Sequence, residues 1–147
     1  MTDIEVATAL SKHFEGFYPK PYLCPAGIPS IGFGATYYED GRRVTLADPP
    51  ITRERALELL AFHLSRVYLP AVRKLCPQID KAARRGAIAD FALNEGAGRL
   101  KGSTLRRKIN AGEWGDVPAE LRKWTRAGGK VLKGLVLRRE AEIGCIR

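Results

Sequence analysis

The stretch HFEGFYPKPYLCPAGIPSIGFGAT, His13 to Thr36, holds one acid, one cysteine, four prolines and four glycines in twenty-four residues. So many bends are foreign to the rest of the chain, which reads as helical. Upstream, Thr2 followed by Glu5 is a capping-box pattern, and Asp3 suits a first helical turn. Val6, Leu10, Phe14 and Phe17 recur at roughly helical spacing, and Gly16 is a good terminator. A first helix over about 2–15 therefore places its one late acid, Glu15, in the last turn. Downstream, β-branched and aromatic residues alternate with turn signals as far as residue 50. Pro25-Ala26-Gly27 and Glu39-Asp40-Gly41 mark two reversals, which predicts a small antiparallel sheet of about three short strands.

After DPPIT the helical pattern returns. Thr52 is positioned to cap a long segment whose Ala56, Leu57, Leu60, Leu64 and Val67 form one apolar stripe, and Pro70 is expected to end or kink it. Four more helix-like segments follow: DKAARRGAIADFALNEG, STLRRKINAG, PAELRKW and GLVLRREAEIGCI. Ser103 starts one and Gly112 ends it, Gly96 and Gly98 are placed in a loop, and Trp114 and Trp124 read as core anchors. The expected fold class is α+β, predominantly α, in one domain over residues 1–147. A small sheet lobe, about 15–50, and a helical lobe are joined by a long helix starting near residue 51, with the first helix packed on the helical part. A cleft between two such lobes is a usual place for a ligand.

The chain has 147 residues, 45% of them hydrophobic, which suffices for a core without a metal or disulfide staple. Twenty-five Lys and Arg against sixteen acids give a net charge of +9, so a polyanionic partner is expected: nucleic acid, an anionic surface or an acidic polymer. The arginines are spread over several helices and form no recognised nucleic-acid motif, so nucleic acid is not expected as the partner. No apolar run approaches ~20 residues, and MTDIEVATALSKHF lacks the layout of a secretory signal, so neither a stable membrane anchor nor a signal peptide is expected. The three cysteines, Cys24, Cys76 and Cys145, exclude a four-thiolate zinc site, and a Cys76–Cys145 pair is left open. His13 and His63 are not at metal-ligand spacing, and no metal or cofactor is expected.

A carboxylate in the final turn of a helix faces the negative end of the macrodipole, which disfavours its ionised form. A protonated carboxylic acid near neutral pH is what a glycosidase needs to protonate a leaving oxygen. Glycoside hydrolysis usually calls for a second carboxylate across the scissile bond, and none stands in an obvious place. Cys24 and, one reversal later, the Ser30 hydroxyl occupy the segment that returns toward the helix end.

The sequence resembles the phage-type lysozymes, the endolysins of glycoside hydrolase family 24. Their signature is Glu, eight residues, Asp or Cys, five residues, then Thr. Glu15, Cys24 and Ser30 fit that spacing, FEG and SIGFG fit the flanks, and residues from FALNEG to REAE resemble the family's helical lobe. The resemblance covers about residues 4–144 and implies a lysozyme-like fold and a muramidase. Such an enzyme cleaves the β-1,4 bond between N-acetylmuramic acid and N-acetylglucosamine in bacterial peptidoglycan, for host lysis. It implies Glu15 as general acid and Ser30 where the family's Thr helps hold the attacking water. Cys24 stands where many members carry the second carboxylate, and its part as thiolate, base or positioner stays open. Relatives often have a His where Ala35 stands, so an ion pair using that His is missing. Asn94 is expected to bond a sugar acetamide, Thr104 to bond a sugar or cap its helix, and Arg138 or Arg139 to pair with Glu15, which would oppose the helix-end effect. Arg138 is also expected to bind substrate. The protein is expected to be a monomer that accumulates in the host cytoplasm and reaches the wall through a holin. A nucleic-acid-binding helical protein, suggested by RRK, LRRE and the +9, is the runner-up reading, and a lysozyme-like domain that only binds the wall is a third.

Overall fold

The computed structural model describes residues 1–147. Helix α1 runs Asp3–Glu15, with the Glu5 N–H donating to Thr2 Oγ1 at 3.2 Å and Gly16 in a positive-φ conformation as its stop. Strands β1 (Tyr18–Leu23) and β2 (Pro29–Gly32) pair antiparallel, Tyr22 opposite Ser30 and Leu23 opposite Pro29. The Pro25-Ala26-Gly27 reversal is the hairpin turn, closed by Cys24 N–H to Ile28 C=O at 3.0 Å and Gly27 N–H to Cys24 C=O at 2.8 Å. The Glu39-Asp40-Gly41 reversal is also present, with Gly41 N–H donating to Tyr38 C=O at 3.0 Å. The expected third strand is reduced to isolated bridges, Ile31 with Ala35 and Tyr37 with Arg43. Tight turning after Gly32 leaves too few consecutive extended residues for a ladder.

The long helical segment begins as expected: Thr52 Oγ1 accepts from Arg55 N–H at 3.1 Å and opens α2 (Arg53–His63). It continues through a π-helical turn, Leu64–Tyr68, into α3 (Leu69–Leu75). Pro70 therefore neither ends nor breaks the run. Proline supplies no N–H to the carbonyl four residues back, and the π turn that precedes it, with Leu69 N–H reaching Leu64 C=O, absorbs the mismatch.

The helical side contains α4 (Ala82–Glu95), α5 (Ala97–Lys101), α6 (Thr104–Asn110), α7 (Val117–Arg122) and α8 (Lys133–Ile146). Gly96 and Gly98, expected in a loop, flank and open the short α5. A two-residue hairpin, β3 (Arg126–Ala127) with β4 (Lys130–Val131), precedes α8. A core of 22 buried residues runs through this side, and Trp114 and Trp124 pack against it. A smaller cluster of Ile31, Ala35, Val44 and Leu59 holds the sheet side. Helix α1 lies so close to α4 that a Cβ on Gly86 would meet Asp3 O at 2.6 Å and Val6 Cβ at 2.7 Å. That close approach brings the buried Ser11 of α1 to Asp90 of α4. No helix is long and apolar enough to cross a membrane.

Candidate active site

A cleft of about 690 Å³ lies between the sheet side and the helical side. Glu15, Tyr22, Cys24 and Ser30 line one wall, and Asn94, Glu95 and the β3–β4 hairpin line the other. The spacing motif is thus brought to one surface. Glu15 arrives at the end of α1 and Cys24 on the first residue of the hairpin turn. Ser30 sits on β2 opposite Tyr22, its hydroxyl donating to Ile28 C=O at 3.0 Å. The Glu15 side chain is 20% exposed. Its other flank is Gly34, where a Cβ would stand 2.5 Å from Glu15 Oε1; φ of +80° also favours glycine there. The turn after β2 therefore presses bare backbone against the acid.

Behind Glu15 lies a polar network of which the sequence pattern revealed only the arginine. Arg138 of α8 donates from Nη1 to Glu15 Oε2 at 2.6 Å and clasps Asp90 through Nε at 2.9 Å and Nη2 at 2.7 Å. Ser11 donates to the same Asp90 at 2.7 Å. Arg138 and Asp90 are 4% and 0% exposed, so this is an enclosed ion pair in which every charged group has a partner. Burial pushes the Asp90 carboxyl up, but the Arg138 charge and the hydrogen bonds from Arg138, Glu142 and Ser11 outweigh it and hold the carboxyl below the usual aspartate range. The expected pairing of an α8 arginine with Glu15 is made by Arg138.

Next to Arg138 on α8, the fully buried Arg139 faces Glu142, about a turn further along and also fully buried, with Nε 2.9 Å from Oε1. Those two atoms are misaligned for a hydrogen bond, so that contact is electrostatic, while Nη2 bonds Glu142 Oε2 at 3.0 Å and Asn94 Oδ1 at 2.7 Å. Burial, then a hydrogen bond with Asp90 and the Asp90 charge, push the Glu142 carboxyl well above its ordinary range. A signal for these residues was present: Leu135, Arg139, Glu142 and Ile146 fall on one helical stripe, two opposite charges set among apolar neighbours.

The other expected site residues are placed as follows. Asn94 is on the cleft wall. Thr104 is not among the cleft-lining residues; it is the first residue of α6, and its hydroxyl accepts from Arg107 at 3.2 Å. Arg138 is buried behind Glu15 instead of lining the cleft, so its reach to substrate passes through the acid. Tyr22 was missed altogether. Its hydroxyl is pushed up to about 12 by burial, then by the charges of Glu15, Tyr18 and Cys24, which marks it as a neutral hydroxyl beside the acid and the thiol. His63 replaces nothing at the acid: it is buried against Tyr37 with ring centroids 4.5 Å apart, and burial pushes it down, toward the uncharged form. All three cysteines are free thiols.

A helix-end acid, a facing hairpin and a two-walled cleft between sheet and helices define a lysozyme-like glycoside hydrolase. The phage lysozyme family model matches residues 12–142, and the chain belongs to that family. It is 52% identical over 131 residues to the SAR-endolysin of Enterobacteria phage PA-2, covering 87% of this chain and 74% of that one. Among solved structures, the endolysin from Escherichia coli O157:H7 phage FAHEc1 superposes with a TM-score of 0.84 at 26% identity, covering 96% of this chain and 90% of the other. The muramidase domain of SpmX from Asticaccaulis excentricus gives 0.80 at 26% identity, covering 95% and 93%. As a phage lysozyme the protein is a muramidase, a glycoside hydrolase of the bacterial cell wall that serves host lysis.

Proposed function

We propose that Glu15 is the general acid of this muramidase, protonating the glycosidic oxygen between N-acetylmuramic acid and N-acetylglucosamine. The observation that carries the reading is the convergence of Glu15, Cys24 and Ser30 on one cleft of about 690 Å³. As the bond to the leaving oxygen breaks, positive charge develops on the sugar ring and must be met from the other face. By its place in the family's spacing, Cys24 is the group that would answer this charge in place of a second carboxylate: a neutral thiol offers little, whereas a thiolate stabilises the cation or serves as base for water. Ser30, without the methyl of a threonine, is freer to rotate than its family counterpart, and its bond to Ile28 C=O supports an orientation in which its oxygen is left to accept from a water. Asn94 contributes to sugar binding from the opposite wall. Thr104 and Arg138 act at one remove, Thr104 at its helix start and Arg138 on the Glu15 carboxyl.

The partner is peptidoglycan, an anionic polymer to which a chain of +9 is attracted. Access to it from the host cytoplasm by way of a holin, and action as a monomer, complete the reading. Lysis of permeabilised cells by Glu15→Gln and Cys24→Ser, followed by turbidity, tests the assignment. The glutamine variant is expected to lose essentially all activity, and the serine variant to keep a reduced part of it. Near-normal lysis by Glu15→Gln would sink the proposal.

A further inference from the structure

Arg139 is the largest fully buried side chain of the protein, and its burial needs a reason. A guanidinium enclosed among apolar groups is costly, and an apolar replacement of a buried ion pair is often neutral or stabilising. Three of its contacts are internal: Glu142, the Trp124 carbonyl at 3.4 Å and the Phe91 ring at 5.1 Å. The fourth is to Asn94 Oδ1 at 2.7 Å, and through Asn94 alone it meets the cleft.

That contact settles which end of the Asn94 amide is which. A guanidinium has only donors, so the atom facing it must be the carbonyl oxygen. The amide NH2 is then turned the other way. It makes no hydrogen bond within the protein and is not among the enclosed unpartnered atoms, so it stands open as a pair of donors. Glu142, on the same helix face, holds Arg139 against rotation through Oε2.

We propose that Arg139 is a specificity-determining positioning residue. By engaging the Asn94 carbonyl it presents the Asn94 NH2 to the cleft, which then selects a glycan substituent bearing a carbonyl oxygen, the acetamido group of an N-acetylhexosamine, over the ammonium of a de-N-acetylated one. The identity of the glycan rests on the muramidase reading; the donor polarity of Asn94 rests on the geometry. An acetamide oxygen accepts from the NH2. An ammonium meets donor with donor, and both are left unsatisfied, a loss of the size that separates affinities by roughly tenfold or more.

The test measures binding of peptide-free oligomers of N-acetylglucosamine and of glucosamine by calorimetric titration, with Glu15→Gln as background so that the sugar is not consumed. Without a peptide, the acetamide is the sole carbonyl in the ligand. In this background the N-acetylated oligomer is expected to bind at least about tenfold more tightly. Adding Asn94→Asp, which keeps the side-chain size and the acceptor for Arg139, replaces the open donor by an acceptor and should collapse or invert that ratio. Adding Arg139→Met with Glu142→Leu removes both members of the buried pair and frees the amide to turn, so the ratio should fall several-fold toward one although Asn94 is intact. A ratio that stays within twofold in the folded variants, or a background protein that binds neither oligomer or shows no preference, overturns the proposal. A protein with Glu15 intact that binds the N-acetylated oligomer yet releases no reducing ends from peptidoglycan overturns the muramidase reading and leaves this inference standing.

Discussion

Glu15 meets Arg138 because α1 stops at Gly16, one residue past the acid, while α8 delivers a guanidinium from a point 123 positions further along the chain. Two contacts then fix the acid: the guanidinium on Oε2 and the bare Gly34 backbone against Oε1. Asp90 is the anchor of that arrangement, since it takes two of the Arg138 donors and the Ser11 hydroxyl. Asp90→Asn removes the anchor's charge while preserving its shape. Taking away one partner of an enclosed ion pair is expected to cost roughly 3–5 kcal/mol, measured by urea unfolding, together with a fall in lysis rate as Glu15 loses its support. A cost under about 1 kcal/mol would show that Asp90 does not hold the network.

At the scale of elements, caps and turns were legible because their chemistry is local. Thr2, Thr52 and Ser103 each cap the helix expected from the sequence, since a hydroxyl and an N–H three residues away need nothing from the rest of the molecule. Thr52→Ala should accordingly lower unfolding free energy by about 1 kcal/mol. The expected signature is a shifted urea midpoint with an unchanged slope, and an unshifted midpoint would contradict the cap's contribution. Faces were less legible. The α1 stripe read from Val6, Leu10 and Phe14 is rotated in the structure toward Val6, Ala7 and Ser11, because Gly86 lets α4 approach on that side and Asp90 rewards a hydroxyl there. The π turn was not legible at all: a proline in an apolar run marks a disturbance, but its form depends on what packs around it.

Across the whole molecule, the enclosed acids give stability two opposing slopes with pH. Asp90 has a folded value below the ordinary aspartate range, so its contribution is present above that range and is lost as pH falls through the lowered value. Glu142 has a folded value above the ordinary glutamate range, so its contribution is complete below that range and is lost as pH rises through the raised value. Burial pushes the Cys76 thiol to about 11 and, with nearby charges, Tyr22 to about 12, so both add losses only in strongly alkaline solution. As pH rises above the ordinary glutamate range, the melting temperature of the parent should fall relative to Glu142→Gln, which carries no titrating group. Parallel melting curves across that range would mean that Glu142 does not titrate as assigned.

The sequence by itself determined the class of fold, the family and the wall of the cleft that bears Glu15, Cys24 and Ser30. Those features depend on neighbours within a few residues: a cap, a glycine stop, a proline-glycine hairpin, a fixed spacing between acid, thiol and hydroxyl. Only the tertiary structure decided what stands behind the acid and which residues face the opposite wall. An arginine of α8 was expected at the acid, but nothing in the chain marks Asp90 as its anchor or fixes Glu142 as the partner of Arg139. Their burial is tolerated only because α1, α4 and α8 bring opposite charges within hydrogen-bonding distance, a compensation no single segment can supply. The same folding separated Thr104 from the cleft and set Asn94 on it, since their positions along a helix say nothing of which face another helix will cover.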